Sequence, residues 1–269
     1  LYFSHGADEI CYQDSVATLY GTNNLIKFVT QSAKNVFVPL SVGGGIRSIS
    51  DASLMFKAGA DKIMLNSAVI DNIRFLKEAS QIFGSSNVTV MIQAVKIGKR
   101  YFISKSNGRD LVKIDPVTWA KKVEEFGAGE IVITSVNNEG LRKGFDISLT
   151  KKIVEKVSIP VIAHGGAGNP KQIYDVIRHT KVSGVGLASI LHYDAIKLVL
   201  PALTKKFILI IDDWNWAQVR KGTLDSIHNE KLKIISKLEI KTTTDNSSSL
   251  IIGENSDWHQ GVAFFVVKK

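Results

Sequence analysis

Residues 38–46 read VPLSVGGGI and residues 159–167 read IPVIAHGGA. Each stretch is a short apolar run with a proline near its start, and each ends abruptly in glycines. An apolar run of this length, bounded by turn residues, is typical of a buried β-strand. The two stretches begin 121 residues apart, which indicates that one structural unit occurs twice.

Two further pairs of segments support this repeat. GADEI at 6–10 matches GAGEI at 127–131, again at an offset of 121, and NSAVI at 66–70 pairs with ASILH at 188–192 at an offset of 122. The chain is therefore predicted to contain an internal duplication of a unit of about 120 residues.

Strands and helices are predicted to alternate along the first 204 residues. Apolar runs predict strands at 9–13, 38–42, 62–65, 88–93, 130–134, 159–163 and 184–187. Helical periodicity predicts helices near 22–34, 50–58, 71–83, 115–126, 147–156, 170–179 and 194–204. Continuous apolar strands that alternate with helices indicate a parallel sheet covered on both faces. KIGKRYFISKSNGRD (96–110) predicts a hairpin inserted into a strand-to-helix loop.

The repeat also indicates the fold class. A four-strand unit repeated once gives eight strands, the number in a (β/α)8 TIM barrel, whose binding sites lie at the carboxyl ends of the strands. Seven strands are predicted before residue 200, and the repeat indicates that the first of eight is absent. We therefore predict an α/β protein in two parts: residues 1–204 form a (β/α)8 TIM barrel lacking its first βα unit, and residues 205–269 form a small α/β tail.

Composition excludes several classes of protein. The 269 residues are 45% hydrophobic and 22% charged, which is typical of a globular protein. The formal charge is +9, but the basic residues are scattered and no nucleic-acid motif is found, so we expect no nucleic-acid partner. Cys11 is the only cysteine, which excludes a disulfide framework and a thiolate metal cluster. No apolar run is long enough for a membrane span, so we expect a soluble protein without a membrane partner.

Several motifs occur in the order that one known family shows. GADEI…QDS, VGGGIRS, GADKIMLNSA, GAGEIVITSVNNEG and IAHGGAG resemble the cyclase subunit of imidazole glycerol phosphate synthase, over roughly residues 1–200. That family is a two-fold-symmetric barrel that takes ammonia from a glutaminase and joins it to a bis-phosphorylated ribonucleotide. The resemblance implies a heterodimer with a glutaminase subunit, a phosphorylated small-molecule substrate, no cofactor, no metal and a cytoplasmic location.

The glycine-ended turns predict two phosphate sites. Glycine lets backbone N–H groups approach a phosphate closely, and a helix N-terminus beyond the turn adds a partial positive charge. The resemblance implies one phosphate site at Gly45, Asn66 and Ser67, and another at Gly140, Gly166, Ala188 and Ser189. The alternative is that tight strand-to-helix turns need glycine without any ligand.

Charged residues open three of the predicted strands, namely Glu9, Lys62 and Glu130. A charge at the start of a buried strand is costly unless it is paired. The resemblance implies that these three residues gate the entry of ammonia and that Asp61 docks the glutaminase. The alternative is that they form ordinary ion pairs at the rim of the barrel.

The family pattern breaks at a catalytic position. The family uses two aspartates for acid/base chemistry, and the one on the fifth strand corresponds to Gln93 in VTVMIQAVK. A glutamine side chain neither accepts nor donates a proton at neutral pH, so the resemblance implies an impaired cyclase. Asp14 remains as a catalytic candidate or a loop cap, and Glu139 stands where the family commonly has Asp. His164 replaces a small residue and is predicted to be either a ligand or acid, or a pocket-lining residue.

Three functional hypotheses follow from the resemblance. The leading one is an ammonia-accepting synthase subunit that works with a glutaminase on a phosphorylated substrate in acetamidino-sugar and surface-polysaccharide biosynthesis. EICYQDSVATLYGTNNL (9–25) and FISKSNGRDLV (102–112) resemble that branch of the family more closely. The alternatives are the cyclase subunit of histidine biosynthesis and a non-catalytic scaffold that binds a glutaminase.

The tail carries a different resemblance. IIDDWNW, VRKGTLDSI and SDWHQGVAFFV resemble the closing strands of a class I S-adenosylmethionine-dependent methyltransferase, but its cofactor-binding strand and turn are absent before residue 207, so we expect no methyl transfer. Alternatively, FILIIDDW occupies the place of the absent first barrel strand. Pairing of 207–211 with 9–13 and 184–187 would support that alternative, and pairing with 262–267 alone would exclude it.

Overall fold

The chain is described from a computed structural model in which it divides into two compact units, residues 1–187 and 188–269. The described residues are 7–14, 25–188, 190, 205–212, 217–241 and 262–268. The predicted helix at 194–204 and the predicted domain boundary at residue 204 lie outside the described residues. Within the described residues, no helix is long and apolar enough to cross a bilayer.

The first unit is built on one mainly parallel sheet. Its strands are β1 (Ile10–Gln13), β2 (Leu40–Gly43), β3 (Lys62–Leu65), β4 (Val88–Ile97), β5 (Arg100–Lys105), β6 (Asp110–Val112), β7 (Glu130–Ser135), β8 (Val161–His164) and β9 (Gly184–Gly186). Seven of the described strands lie parallel in the order β1-β2-β3-β4-β7-β8-β9. The order follows the chain because each crossover returns to the neighbouring position.

Helices fill the connections between these strands. They are α1 (Leu25–Ala33), α2 (Ile49–Ala58), α3 (Ser67–Asp71), α4 (Ile73–Phe83), a 3-10 turn (Ser85–Asn87), α5 (Pro116–Glu125), α6 (Ile147–Val154) and α7 (Pro170–Thr180). Helix α5 shows how the sequence fixes a start, because Asp115 accepts a hydrogen bond from the Thr118 N–H at 3.0 Å and Pro116 follows it. The predicted helix at 71–83 corresponds to α4, and the short helix α3 before it was not predicted. Asn72 ends α3 and caps α4.

This alternation is the architecture of a (β/α)8 TIM barrel, as predicted, with seven of its parallel strands among the described residues. Apolar side chains of the strands, such as Val42, Ile63, Val90 and Ile131, are fully buried. The core therefore lies between the sheet and its helices and holds the ends of the strands in place.

The repeat is visible in the element bounds. Strand β2 begins at Leu40 and β8 begins at Val161, 121 residues later, and both have four residues. Helix α7 likewise begins at Pro170, 121 residues after the start of α2 at Ile49. The sequence repeat therefore corresponds to a repeat of strand and helix positions.

The predicted hairpin insertion is confirmed. Strand β4 continues past its parallel section and pairs antiparallel with β5, which pairs with β6. Gln93 faces Ser104 in this pairing, at the level where β4 also pairs with Thr134 of β7. The hairpin therefore rises from the carboxyl end of the sheet.

The second unit contains β10 (Lys206–Asp212), α8 (Ala217–Asn229), β11 (Lys233–Ile240) and β12 (Val262–Lys268). Strand β12 lies between β10 and β11 and is antiparallel to both. Residues 207–211 thus pair with 263–267, so the alternative in which FILIIDDW fills the place of a barrel strand is wrong. Phe265 and Val267 of β12 form the centre of a small apolar core with Ile227 and Leu232.

Candidate functional site

A pocket of about 480 Å³ opens at the carboxyl ends of β1, β2, β3 and β4. Five of the residues predicted from the sequence line it together, namely Asp14, Gly45, Asn66, Ser67 and Gln93. These residues are up to 79 positions apart in the sequence, and the parallel strand order brings them to one edge of the sheet.

The glycines after β2 shape one wall of this pocket. Gly44 and Gly45 have φ values of 97° and 72°, in the left-handed region. A Cβ on Gly44 would lie 2.2 Å from the carbonyl oxygen of Asp14, so a side chain has no room there. The Asp14 N–H in turn donates to the carbonyl of Gly43 at 2.9 Å. The glycine turn and the end of β1 are therefore packed backbone to backbone.

The pocket also includes residues that the sequence did not single out. Arg47 follows the glycine turn, Asp71 ends α3, and Asn107 lies in the turn between β5 and β6. The Arg47 N–H donates to Asp51 at 3.0 Å, and Ser48 caps α2 by accepting from the Asp51 N–H at 3.1 Å. Arg47 could have been suspected from VGGGIRS, whereas Asn107 depends on how the hairpin folds back.

Ser67 and Asn66 are tied to that hairpin. The Ser106 N–H donates to Ser67 Oγ at 3.1 Å, and Asn66 Nδ2 donates to Gln93 Oε1 at 3.0 Å. Lys105 Nζ lies 2.6 Å from Asp71 Oδ1. The turn between β5 and β6 therefore contacts the segment that the sequence predicts to bind phosphate.

The second predicted phosphate cluster is described only in part. Gly166 has a φ of 106°, and a Cβ there would lie 2.2 Å from the Gly144 carbonyl oxygen. The Gly144 N–H donates to the Gly166 carbonyl at 2.8 Å, which ties the loops after β7 and β8 together. Gly140 also has a positive φ, 71°, but open space around it.

Two members of that cluster cannot be placed beside these glycines. Ala188 is the first residue of the second compact unit, and Ser189 lies outside the described residues. The second phosphate site therefore stays a prediction.

His164 stands in one row with Gln93 across the sheet. Gln93 pairs with Thr134 on β7, and Thr134 pairs with His164 on β8. Thr134 Oγ1 lies 3.0 Å from His164 Nδ1. Burial lowers the pKa of His164, and the nearby charge of Glu139 acts in the opposite direction without reversing the shift. The imidazole is therefore neutral near pH 7.

The amino ends of the strands carry the second predicted set of charges. Lys62 Nζ lies 2.8 Å from Glu9 Oε2 and 3.4 Å from Glu130 Oε2, so one lysine bridges two carboxylates. Thr89 donates to Glu130 at 3.1 Å, and Ser41 donates to Glu9. Burial lowers the pKa of Lys62, but the hydrogen bond to Glu9 and the charges of both carboxylates outweigh it and raise the pKa overall.

Asp61 lies at the same rim, next to this cluster. Its carboxylate accepts a hydrogen bond from the Leu40 N–H at 2.8 Å. The side chain thus fixes the start of β2, and its predicted contact with a glutaminase stays a prediction. Among the described residues, no group of three or more His, Cys, Asp and Glu side chains is placed to hold a metal ion.

Comparison with known proteins agrees with this geometry. The histidine biosynthesis protein family matches residues 1–197. The chain belongs to that family. Among its relatives, imidazole glycerol phosphate synthase subunit HisF of Legionella pneumophila is 47% identical over 168 residues, which cover 62% of this chain and 79% of the relative. The proteins of the same name from Saccharolobus solfataricus and Pyrococcus furiosus are 40% and 43% identical, covering 74% and 71% of this chain and 79% and 76% of those relatives.

Membership of the histidine biosynthesis family confirms the family resemblance that the sequence motifs predicted. It gives no support to the polysaccharide branch over the histidine branch, because these relatives carry the name of the histidine-pathway enzyme. The methyltransferase resemblance of the tail has no support from the family match, which ends at residue 197.

Proposed function

We propose that this chain is the synthase subunit of an imidazole glycerol phosphate synthase, which takes up ammonia at the amino ends of its strands and adds it to a phosphorylated substrate at their carboxyl ends. One observation carries the proposal. Strands β1 and β3 have Glu9 and Lys62 at their amino ends, and they end beside Asp14 and Asn66 of the pocket. A four-residue strand spans about 13 Å, so the distance between the two sites is short.

The names of the relatives support the same conclusion. Each is called a subunit of imidazole glycerol phosphate synthase, which denotes an enzyme with more than one kind of chain. We infer that the partner is a glutaminase subunit that binds at the rim formed by Glu9, Asp61, Lys62 and Glu130. A cytoplasmic location and the absence of a cofactor are part of this proposal.

The pocket residues would then have separate roles in phosphate binding and proton transfer. Backbone N–H groups at Gly45 and Ser67 would hold one phosphate, with the Ser67 hydroxyl as a further donor. Gly140, Gly166, Ala188 and Ser189 would hold a second phosphate, as the resemblance to the cyclase subunit implies. Asp14 is the carboxylate that would move a proton at the reacting end of the substrate.

Gln93 favours a second candidate function. It is 3% exposed and points into the pocket, where a cyclase needs a group that moves protons. A neutral amide at this position fits a subunit that delivers ammonia to another acceptor, such as a phosphorylated or nucleotide-linked sugar in polysaccharide biosynthesis. The methyltransferase-like tail would be a remnant under either candidate.

One experiment separates these functions. The chain is mixed with a glutaminase subunit that pairs with its relatives, and product formation from the bis-phosphorylated ribonucleotide is measured with glutamine and, separately, with ammonium chloride. Ring closure by the unaltered chain would establish the first function. Stimulated glutamine hydrolysis without ring closure, with closure gained in Gln93→Asp, would exclude the first function for the unaltered chain and favour the second. If the chain did not stimulate the glutaminase, neither function would hold. A stable complex of the two chains in gel filtration would then indicate a binding-only scaffold.

A further inference from the structure

Three side-chain amides form a hydrogen-bonded chain across the pocket. Asn66 Nδ2 donates to Gln93 Oε1 at 3.0 Å, and Gln93 Nε2 donates to Asn107 Oδ1 at 3.1 Å. The three residues come from the end of β3, from β4 and from the turn between β5 and β6. All three line the pocket. Gln93 is thus the middle link between the predicted phosphate segment and the hairpin.

The direction of this chain is fixed at one end. Asn66 Nδ2 also lies 3.4 Å from the carbonyl oxygen of Ser104, and a carbonyl oxygen can only accept. Asn66 must therefore present its amino group on this side, Gln93 must receive it with its oxygen, and Asn107 must receive the Gln93 amino group with its own oxygen. The reverse arrangement would place the Asn66 oxygen against the Ser104 oxygen.

In this orientation, Asn66 Oδ1 is buried and no described residue donates a hydrogen bond to it. A buried acceptor without a donor is costly, so a ligand group that reaches this oxygen must be an N–H or O–H donor.

The turn that Asn107 belongs to is held at several points. Ser106 and Asn107 have φ values of 54° and 59°, in the left-handed region that non-glycine residues seldom adopt. The Ser106 N–H is bonded to Ser67 Oγ at 3.1 Å, and Lys105 is paired with Asp71 at 2.6 Å. A turn with two such residues needs contacts of this kind to persist, and Gln93 supplies another through its hydrogen bond to Asn107.

We propose that Gln93 is a positioning residue: through the amide chain it orients Asn66 and holds the β5–β6 turn against Ser67. The amide is suited to this role because it accepts from Asn66 and donates to Asn107 at once. A carboxylate at the same place only accepts at neutral pH, so it cannot donate to Asn107 Oδ1. The inference rests on these contacts and holds whichever reaction the pocket performs.

The test uses isosteric acids at the two ends of one hydrogen bond. In Gln93→Glu, the Asn107 amide can rotate and donate its amino group to the new carboxylate. In Asn107→Asp, Gln93 Nε2 donates to a carboxylate without any rotation. In the double variant, neither side chain can donate at neutral pH, and two carboxylates face each other within about 3 Å. They will share a proton only at lower pH.

Hydrogen exchange of the Ser106 backbone amide reports the position of the turn. We expect exchange within about threefold of the unaltered chain in each single variant, because one donor remains between the two side chains. In Gln93→Glu/Asn107→Asp, exchange should be at least about tenfold faster at pH 7.5, after correction for intrinsic rates, and should return toward the original protection near pH 5 as the pair takes up a proton. Gln93→Leu should be faster at both pH values, with no such recovery.

The strand amides of Val90 and Ile92 serve as the internal control, because their protection shows that the sheet is intact in every variant. Asp71→Asn is the matched variant on the other side of the turn, since it removes the Lys105 pair and leaves the amide chain in place. In Asp71→Asn, the protection of the Ser106 amide should not increase near pH 5 beyond that of the unaltered chain. Full protection of Ser106 in the double variant at pH 7.5, or fast exchange at both pH values with an intact sheet, would overturn the proposal.

Discussion

The surroundings of His164 on its strand determine its protonation state. It lies beside Thr134, whose Oγ1 is 3.0 Å from Nδ1, in the cross-strand row that begins at Gln93. Burial lowers its pKa, and the carboxylate of Glu139 only partly offsets that effect. A histidine of this kind is stable as the neutral imidazole, so protonation should favour the unfolded chain.

The stability of the protein should therefore depend on pH through His164. Its folded pKa lies below the ordinary value of about 6.5, so the unfolded state binds more protons just below that pH. The stability is fully present above about pH 6.5 and is lost as pH falls toward the lowered folded pKa, by at most about 1.4 kcal/mol per pH unit. Urea unfolding from pH 5 to 8 should show this slope in the unaltered chain and a weaker slope in His164→Gln. An equal slope in both proteins would contradict the assignment.

At the scale of elements, the glycine turn after β2 is set by a contact between backbones. Gly45 is predicted to bind phosphate, and a Cβ on its neighbour Gly44 would overlap the carbonyl of Asp14. The sequence could indicate a tight turn there, because three successive glycines follow an apolar run. It could not indicate which glycine faces β1, since that depends on the register of Ile10 against Leu40.

Gly44→Ala should therefore damage the pocket more than an ordinary glycine substitution. The φ of 97° alone costs about 1–3 kcal/mol for a residue with a Cβ. The 2.2 Å approach to Asp14 must also be relieved by moving β1, so we expect a total loss of about 3–5 kcal/mol. Gly140→Ala is the matched control, because it has a φ of 71° and open space and should cost only the strain. Thermal or urea unfolding measures both, and equal losses would contradict the contact argument.

The hairpin marks the limit of prediction at this scale. Its existence could be predicted, because KIGKRYFISKSNGRD has turn residues in two places between apolar runs. The hydrogen-bond partners of Gln93 could not be predicted, since Asn107 reaches Gln93 only through the antiparallel register in which Gln93 faces Ser104. Likewise α3 was missed, because five residues are too few for a helical period to be recognised.

At the scale of the whole molecule, the internal repeat explains why so much of the barrel could be predicted. Equivalent strands and helices begin about 121 residues apart, so each half of the sequence predicts the elements of the other. The parallel order then places all amino ends at one edge and all carboxyl ends at the other. The tail has no internal repeat of this kind. Its apolar run at 207–211 pairs antiparallel with β12 in a separate three-stranded sheet.

One substitution should distinguish the role of the charged cluster at the amino ends of the strands from that of the pocket at their carboxyl ends. Lys62→Met leaves Glu9 and Glu130 facing each other without the cation that bridges them at 2.8 and 3.4 Å. We expect the free energy of unfolding to fall by about 1–3 kcal/mol, since charged hydrogen bonds are lost. If the cluster gates ammonia, glutamine-dependent product formation should fall at least about tenfold, equivalent to about 1.4 kcal/mol.

The rate with ammonium chloride should change by less than about twofold in Lys62→Met, because ammonia from solution can reach the pocket at the carboxyl ends without crossing the cluster. Lys57→Met is the control, as Lys57 is exposed in the last turn of α2 and makes no ion pair that the described residues show. If both rates fell together, Lys62 would act through the fold and not through the passage of ammonia. If neither changed, the charged cluster would be a structural ion pair, and the link between the two edges of the sheet would have to be sought elsewhere.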